Sequence, residues 1–364
     1  MTCSSRMMSN MVEVNVGGHI TLLFTIDTSA RLPRSQGSRG AGFTVDHGVK
    51  LKAQLIKKEE ALPLERMNGI APDVRQDATS PEESKIHITD RHGNLIEEKS
   101  LYEDMIEACR YARLLRENES LDLQIHLECP RSQGFGMSAS GLMALGQAIE
   151  ALTGRGVASQ YLKIAHRIER QHGSGLGDVL GCSVGGVELR IQPGAPSWPG
   201  HAVSFDAPTP VLLVWEESES RHTSIYIDDE QWQISITEAG DACVEVLAQK
   251  PWSPQQWPEL LKQSRLFSEA SGLFEEPVRA LVYQTVIDSL LELNVQGALA
   301  ARLCMLGNSV VVLPRRLDEP VDVDAFAQLA DTIKARGLNV LVSSISPVVN
   351  QNRADPDLPG LNRA

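Results

Sequence analysis

The chain has 364 residues, of which 42% are hydrophobic and 22% charged, with a formal net charge of −13; this is the composition of a soluble globular protein long enough for two domains. That acidity argues against nucleic acid or an anionic membrane as partner, since both select basic surfaces, and no apolar run approaches the ~20 residues of a membrane helix. The first residues, Met-Thr-Cys-Ser-Ser-Arg-Met-Met, lack the apolar stretch of a secretory signal, and Cys3, Cys109, Cys129, Cys182, Cys243 and Cys304 have no paired spacing, so the expectation is a cytoplasmic protein without a disulfide framework or zinc site.

In chain order, residues 1–10 read as a disordered start. Val12, Val14 and Val16 alternate with Glu13 and Asn15 as a first strand that runs into Gly17-Gly18-His19. Arg31 to Phe43 reads as a flexible basic loop, and residues 59–98 as strands with long polar connections. Leu101 to Arg116 has a helical pattern. Leu121 to Cys129 alternates apolar and polar at period two, as a half-buried strand does. A helix is predicted from Ser138 to Leu152, with Leu142, Leu145, Ile149 and Leu152 on one face. A second helix, Ser159 to His172, is broken by Gly173-Ser174-Gly175-Leu176-Gly177-Asp178. Val187, Leu189 and Ile191 alternate with Glu188 and Arg190 as a further strand. The Pro/Gly-rich run from Pro193 to Pro210 reads as a junction between domains. Beyond it, strands at Val211–Trp215, Ser309–Leu313 and Leu338–Val342 alternate with helices near Asp241–Ala248, Pro258–Ser271, Glu276–Leu293 and Asp322–Arg336, a second α/β layer. The chain after Pro347 reads as an unstructured tail.

The most informative stretch is Gly134-Phe135-Gly136-Met137-Ser138-Ala139-Ser140-Gly141, between the period-two strand and its helix. Small residues entering a helix N-terminus leave backbone N–H groups aimed at one point, and the helix dipole favours an anion there, above all a phosphate. No Gly-Lys-Ser/Thr follows, so it is not a Walker loop. Phosphoryl transfer also needs a Mg²⁺ and a group beside the attacking hydroxyl. Ser138 can offer its hydroxyl to Mg²⁺, Glu169 on the next helix can supply the carboxylate, and Asp178 can orient or deprotonate the acceptor. Each has a plainer reading as well: Ser138 or Ser140 as an N-cap, Glu169 as a solvated charge between Arg167 and Arg170, and Asp178 as turn chemistry.

Taken together, these segments resemble the GHMP kinases, whose phosphate loop usually reads Gly-Leu-Gly-Ser-Ser-Ala where this chain has Gly-Phe-Gly-Met-Ser-Ala. The resemblance implies nucleotide contacts at Gly134, Gly136, Met137, Ser138, Ala139 and Ser140. It also implies Mg²⁺ ligands at Ser138 and Glu169, and a catalytic Asp178 ahead of Gly185-Gly186. The Glu169-to-Asp178 interval is slightly shorter than in mevalonate kinases. Cys304-Met305-Leu306-Gly307-Asn308-Ser309 stands where the family has its C-terminal glycine-rich motif. Gly18-His19-Ile20-Thr21 and Gly37-Ser38-Arg39-Gly40-Ala41-Gly42 are similar to the archaeal pantoate kinases within that family. What this implies is an α+β fold in two domains: residues 1–205, resembling ribosomal protein S5 domain 2 and binding ATP, and residues 206–346, of ferredoxin-like type, with 347–364 a disordered tail. It further implies ATP and Mg²⁺ as cofactors, pantoate as the small-molecule substrate, phosphorylated on its 4-hydroxyl, and a homodimer as a common assembly. Ser38, Arg39, His19, His166 and Arg190 are the expected substrate contacts, since a small hydroxy acid needs a cation for its carboxylate; the plainer alternatives are a polar loop residue for Ser38, a solvated loop arginine for Arg39, a turn-shaping residue for His19 and a surface or packed helix residue for His166. Arg190 has the alternative of an exposed strand residue paired with Glu188. Other GHMP kinases acting on homoserine, mevalonate or shikimate, and a nucleotide-binding regulator without turnover, stay open on these residues.

Overall fold

The valine-rich start forms β1 (Met11–Phe24), which pairs along its length with the antiparallel β2 (Gly40–Lys57). This computed structural model describes residues 10–57, 83–217 and 224–349. The expectations for residues 1–9, for 58–82 of the polar segment and for the tail from 350 onward lie outside the described residues. The other edge of β2 is shared. Its second half pairs with β4 (Glu119–Leu127) and its first four residues with β5 (Val187–Gln192), both antiparallel. A parallel β3 (Lys85–Thr89) extends the sheet beyond β4, and β6 (His201–Phe205) extends it beyond β5. The second half of β2 shows the period expected of a sheet with one buried face: Leu51, Ala53 and Leu55 are buried, while Lys52 and Gln54 are exposed.

On the covered face lie α1 (Ser100–Tyr111), α2 (Met137–Thr153), α3 (Ala158–Gln171) and the short α4 (Asp178–Val184). α2 is the central helix. It packs on β1, β2 and α3, so Leu142, Ala144, Leu145, Ala148 and Ile149 are all fully buried. Gly154, left-handed at φ 63°, stops it.

A second, wholly antiparallel sheet has the order β10-β7-β9-β8, built from β7 (Pro210–Trp215), β8 (Leu299–Cys304), β9 (Ser309–Pro314) and β10 (Asn339–Ser344). With it go α5 (Ser224–Asp228), α6 (Glu230–Leu247), α7 (Trp257–Ala270), α8 (Pro277–Glu292) and α9 (Val323–Ala335). Both faces of β7 and β9 are covered, which is why they read as unbroken apolar runs. The arrangement is the α+β class expected from the family resemblance, and it corrects the α/β alternation expected for the second half. Among the described residues, no helix is long and apolar enough to cross a membrane.

Several local expectations change for physical reasons. The basic loop ends sooner than predicted: after a 3-10 turn at Pro33–Ser35, β2 begins at Gly40, and Phe43 is fully buried. Three small residues, Gly40-Ala41-Gly42, hide this strand start from a propensity reading because they admit close neighbours on both edges. The predicted junction at Pro193–Pro210 contains β6, whose alternation is flanked by prolines and glycines. The helix predicted to reach Arg116 ends at Tyr111, where Arg113 turns left-handed at φ 59°. α6 starts eleven residues earlier than Asp241, capped by the Asp229 carboxylate, which accepts from the Trp232 N–H. β8 was not predicted at all. Its Leu-Ala-Ala-Arg-Leu-Cys is helix-favouring locally, and only burial within the sheet makes it a strand.

Candidate active site

A cleft of about 1080 Å³ runs across the mouth of the 134–139 loop, and the N-terminus of α2 forms its floor. Gly136 is the N-cap of α2 and is left-handed at φ 68°, with no side-chain cap and no acidic residue in the first turn. The turn thus offers free N–H groups and the positive dipole end to an anion. Only glycine fits at Gly136, since a Cβ there would lie 2.8 Å from His19 Cβ and 2.9 Å from the His19 nitrogen. The His19 N–H donates to the Phe135 carbonyl at 3.0 Å and ties the loop to β1.

Of the expected nucleotide contacts, Gly134, Gly136, Met137, Ser138 and Ala139 line the cleft. Ser140 does not. Its fully buried hydroxyl donates at 2.7 Å to the Gly17 carbonyl and lies 3.0 Å from that of Gly136, so it fastens α2 to β1. The Cys304–Ser309 segment braces the loop from behind. The Asn308 N–H donates to Gln133 Oε1 at 3.0 Å, the Ser309 hydroxyl donates to the Gln133 carbonyl, and Met305 and Leu306 reach the cleft. Behind them, Phe135 packs edge-on to Trp215 at 5.7 Å.

At the far end of the cleft stands Asp178, the first residue of α4 and not part of the turn before it. His19 Nδ1–H donates to Asp178 Oδ1 at 2.6 Å, and the Thr21 hydroxyl donates to the same oxygen at 3.3 Å. Burial would raise the Asp178 pKa, but the His19 hydrogen bond, the positive charges of His19 and Arg190 and the Thr21 hydroxyl outweigh it and hold the carboxylate below its ordinary range. His19 is fully buried, and its other nitrogen donates to Glu188 Oε1 at 3.0 Å. Burial alone would discharge the imidazole; the Glu188 charge and the hydrogen bonds to Asp178 and Glu188 instead raise its pKa to about 9. At neutral pH His19 is therefore an imidazolium that donates from both nitrogens.

Glu169 is fully buried, and neither of its carboxylate oxygens has a well-formed hydrogen bond, although the Val179 N–H lies close enough to favour its charged form. A Cβ built on Gly175 would lie 2.4 Å from Glu169 Oε1 and 2.8 Å from Asp178 Oδ2, so the two carboxylates converge on this one glycine. Burial first, and then the negative charge of Asp178, push the Glu169 pKa up to about 8. An orphaned buried carboxylate beside a second one is expensive without a cation. A Mg²⁺ held by one or two protein oxygens, waters and phosphate oxygens fits this donor set.

The expected substrate contacts divide. Ser38 and Arg190 line the cleft beside Asp178, both nearly fully buried. The plainer reading of Arg190, an exposed strand residue paired with Glu188, was half right: it pairs with Glu188, but both are buried. His19 acts on Asp178 and does not line the cleft. Arg39 turns away to α6, where Nη1 pairs with Asp241 at 2.7 Å. His166 points under the loop that carries Ser38. Its Nε2–H donates to the Gln36 carbonyl at 3.0 Å, with the Pro33 carbonyl at 3.3 Å. Desolvation lowers its pKa to about 4, so it is neutral and braces the loop.

Two parts of the site escaped the sequence. Glu188 was visible only as a partner for Arg190, although opposite charges two apart on a strand directly after Gly185-Gly186 were a usable signal. The cleft is also lined by Ile88, Asn94, Ile96, Leu101 and Leu127, which give it an apolar stretch with a polar neighbour. Most of it comes from the later part of the polar segment to which no role had been assigned.

Residues 101–186 match the GHMP kinases N terminal domain, a span that includes the α2 loop, Glu169 and Asp178. The chain is similar to a pantoate kinase of Methanospirillum hungatei, 27% identical over 287 residues that cover 79% of this chain and 82% of that one. A pantoate kinase of Methanocaldococcus jannaschii is 23% identical over 299 residues, covering 82% and 91%. Among solved structures, one described as a phosphotransferase related to CoA biosynthesis pathway superposes with a TM-score of 0.67 at 20% identity, covering 93% of this chain and 96% of that one.

Proposed function

We propose that this chain is a GHMP kinase that transfers the γ-phosphoryl group of ATP to the 4-hydroxyl of pantoate, a step toward coenzyme A. The observation that carries the reading is a free helix N-terminus and an Asp178 held charged by His19 on one cleft, with the Glu169 carboxylate meeting Asp178 just behind the cleft-lining Gly175. In this reading the base of ATP occupies the apolar stretch and its phosphates lie on the N–H groups of Gly136 to Ala139. Ser138 and Glu169 would hold Mg²⁺, which supplies charge neutralisation at the transferring phosphoryl group. Asp178 accepts a hydrogen bond from the attacking hydroxyl and orients it, and takes its proton as the P–O bond forms. Its lowered pKa suits a group that must be ionised when substrate arrives. Arg190 pairs with the substrate carboxylate, and Ser38 donates to a substrate oxygen. The reading assigns 1–205 and 206–346 to two domains.

The test is a panel of pantoate, homoserine, mevalonate and shikimate offered to the purified protein with Mg²⁺ and ATP. ADP release is followed by a coupled assay and the product by ³¹P NMR. Turnover confined to pantoate, with a new phosphomonoester on the 4-hydroxyl, supports the reading. No ADP on adding pantoate, or faster turnover of another alcohol, overturns it.

A further inference from the structure

His19, Glu188 and Arg190 form a buried charged group in which Glu188 alone has no part in the reading above. His19 comes from β1, Glu188 and Arg190 from β5, and all three are at most 1% exposed. A single oxygen, Glu188 Oε1, accepts from His19 Nε2–H at 3.0 Å and from Arg190 Nη1–H. The two cations consequently sit side by side, with Arg190 Nη1 only 3.4 Å from His19 Nε2. Their far ends then diverge. His19 Nδ1–H reaches Asp178 at 2.6 Å, and Arg190 continues to the cleft wall beside Ser38. The fold makes room for this: a Cβ on Gly181 would lie 2.3 Å from His19 Nε2. Buried ion pairs seldom stabilise more than an apolar core of equal volume, so stability alone does not account for three buried charges here.

We propose that Glu188 is a positioning residue whose one carboxylate oxygen aims His19 at Asp178 and Arg190 at the substrate carboxylate. This rests on the kinase reading above. Glu188 touches neither substrate nor nucleotide. It fixes the angle between the cation that holds the acid and the carboxylate that orients the hydroxyl, so that binding the acid delivers its hydroxyl to Asp178. Without its charge, two adjacent cations repel and both tilt.

The test is steady-state kinetics of Glu188→Gln. The amide oxygen can still accept both hydrogen bonds, but the charge is gone. The expected result is a split. KM for the hydroxy acid rises about tenfold and kcat falls about 100-fold, the scale of a small misplacement of reacting groups, while KM for ATP stays within twofold because Glu188 is buried and does not line the cleft. Glu188→Asp keeps the charge but draws it back by one methylene, and it shows the same split at smaller size; it decides the matter if the Gln variant does not fold. Wild-type constants in a folded variant overturn the inference. So does a loss of Mg-ATP affinity in step with melting temperature, which marks Glu188 as purely structural. A wild-type protein that phosphorylates none of the acids refutes the kinase reading and this inference with it. A wild type that turns over while its variants keep wild-type constants refutes this inference alone.

Discussion

Titrating the protein from pH 6.5 to 9, without Mg²⁺ or nucleotide, removes protons that the folded state holds and the unfolded chain has already lost. His19 has a folded pKa of about 9 against an ordinary 6.5. Because the folded value is raised, its contribution to stability is fully present below pH 6.5 and is lost as pH rises through about 9. Glu169 is raised from 4.5 to about 8, so its contribution falls away between those values. Each proton bound only by the folded state makes stability fall by about 1.4 kcal/mol per pH unit. Both groups act between pH 6.5 and 8, giving a slope of roughly 2.7 kcal/mol per unit; from 8 to 9 His19 continues, and the buried thiols of Cys109, Cys129, Cys182, Cys243 and Cys304, all raised from 9, begin to add to it. His166, lowered to about 4, acts only on the acid side and leaves this window untouched. Urea unfolding at half-unit pH intervals measures the slope from midpoints at constant m. His19→Asn is expected to flatten the curve by one proton across the whole window, and Glu169→Gln by one proton up to pH 8. A wild-type midpoint that is flat from pH 6.5 to 9, or a slope left unchanged in both variants, refutes the charge assignments.

Asp178→Asn is expected to lower kcat by about 10²–10⁴, the usual worth of a positioned acid–base group, while Mg-ATP still binds in calorimetry; a variant with wild-type kcat removes Asp178 from the mechanism. Gly136→Ala forces a side chain into a left-handed position at φ 68° against His19, so unfolding free energy is expected to drop by about 2 kcal/mol or more with loss of nucleotide binding. An unchanged urea midpoint counts against the loop geometry.

The strand–loop–helix unit around Gly134–Gly141 is legible because it depends on local rules. A period-two strand, a loop with Gly134 and Gly136 and a helix with Leu142, Leu145, Ile149 and Leu152 on one side specify a strand–loop–helix unit without reference to the rest of the chain, and β4 and α2 have nearly the expected bounds. His166 and Arg39 were misjudged for the opposite reason. Sequence gives a side chain's distance from Glu169 or Ser38 along the chain, but not the partner that claims it. A carbonyl pair at Pro33 and Gln36 takes one, and Asp241, 202 residues away, takes the other.

β5 carries the deeper lesson. Val187 and Leu189 alternating with Glu188 and Arg190 imply one apolar face and one wet face, yet all four residues are buried. Alternation reports a difference between faces, and it does not say that the polar face meets water. In β5 the polar face meets His19 and the cleft. A carboxylate and a guanidinium there are tolerated because each neutralises the other and both serve charges that must stay ionised. The same logic separates Glu169 from the solvated glutamate its neighbours Arg167 and Arg170 suggest. Its oxygens are buried without a well-formed hydrogen bond, and burial together with the Asp178 charge lets it keep a proton to about pH 8, which a solvated glutamate does not do.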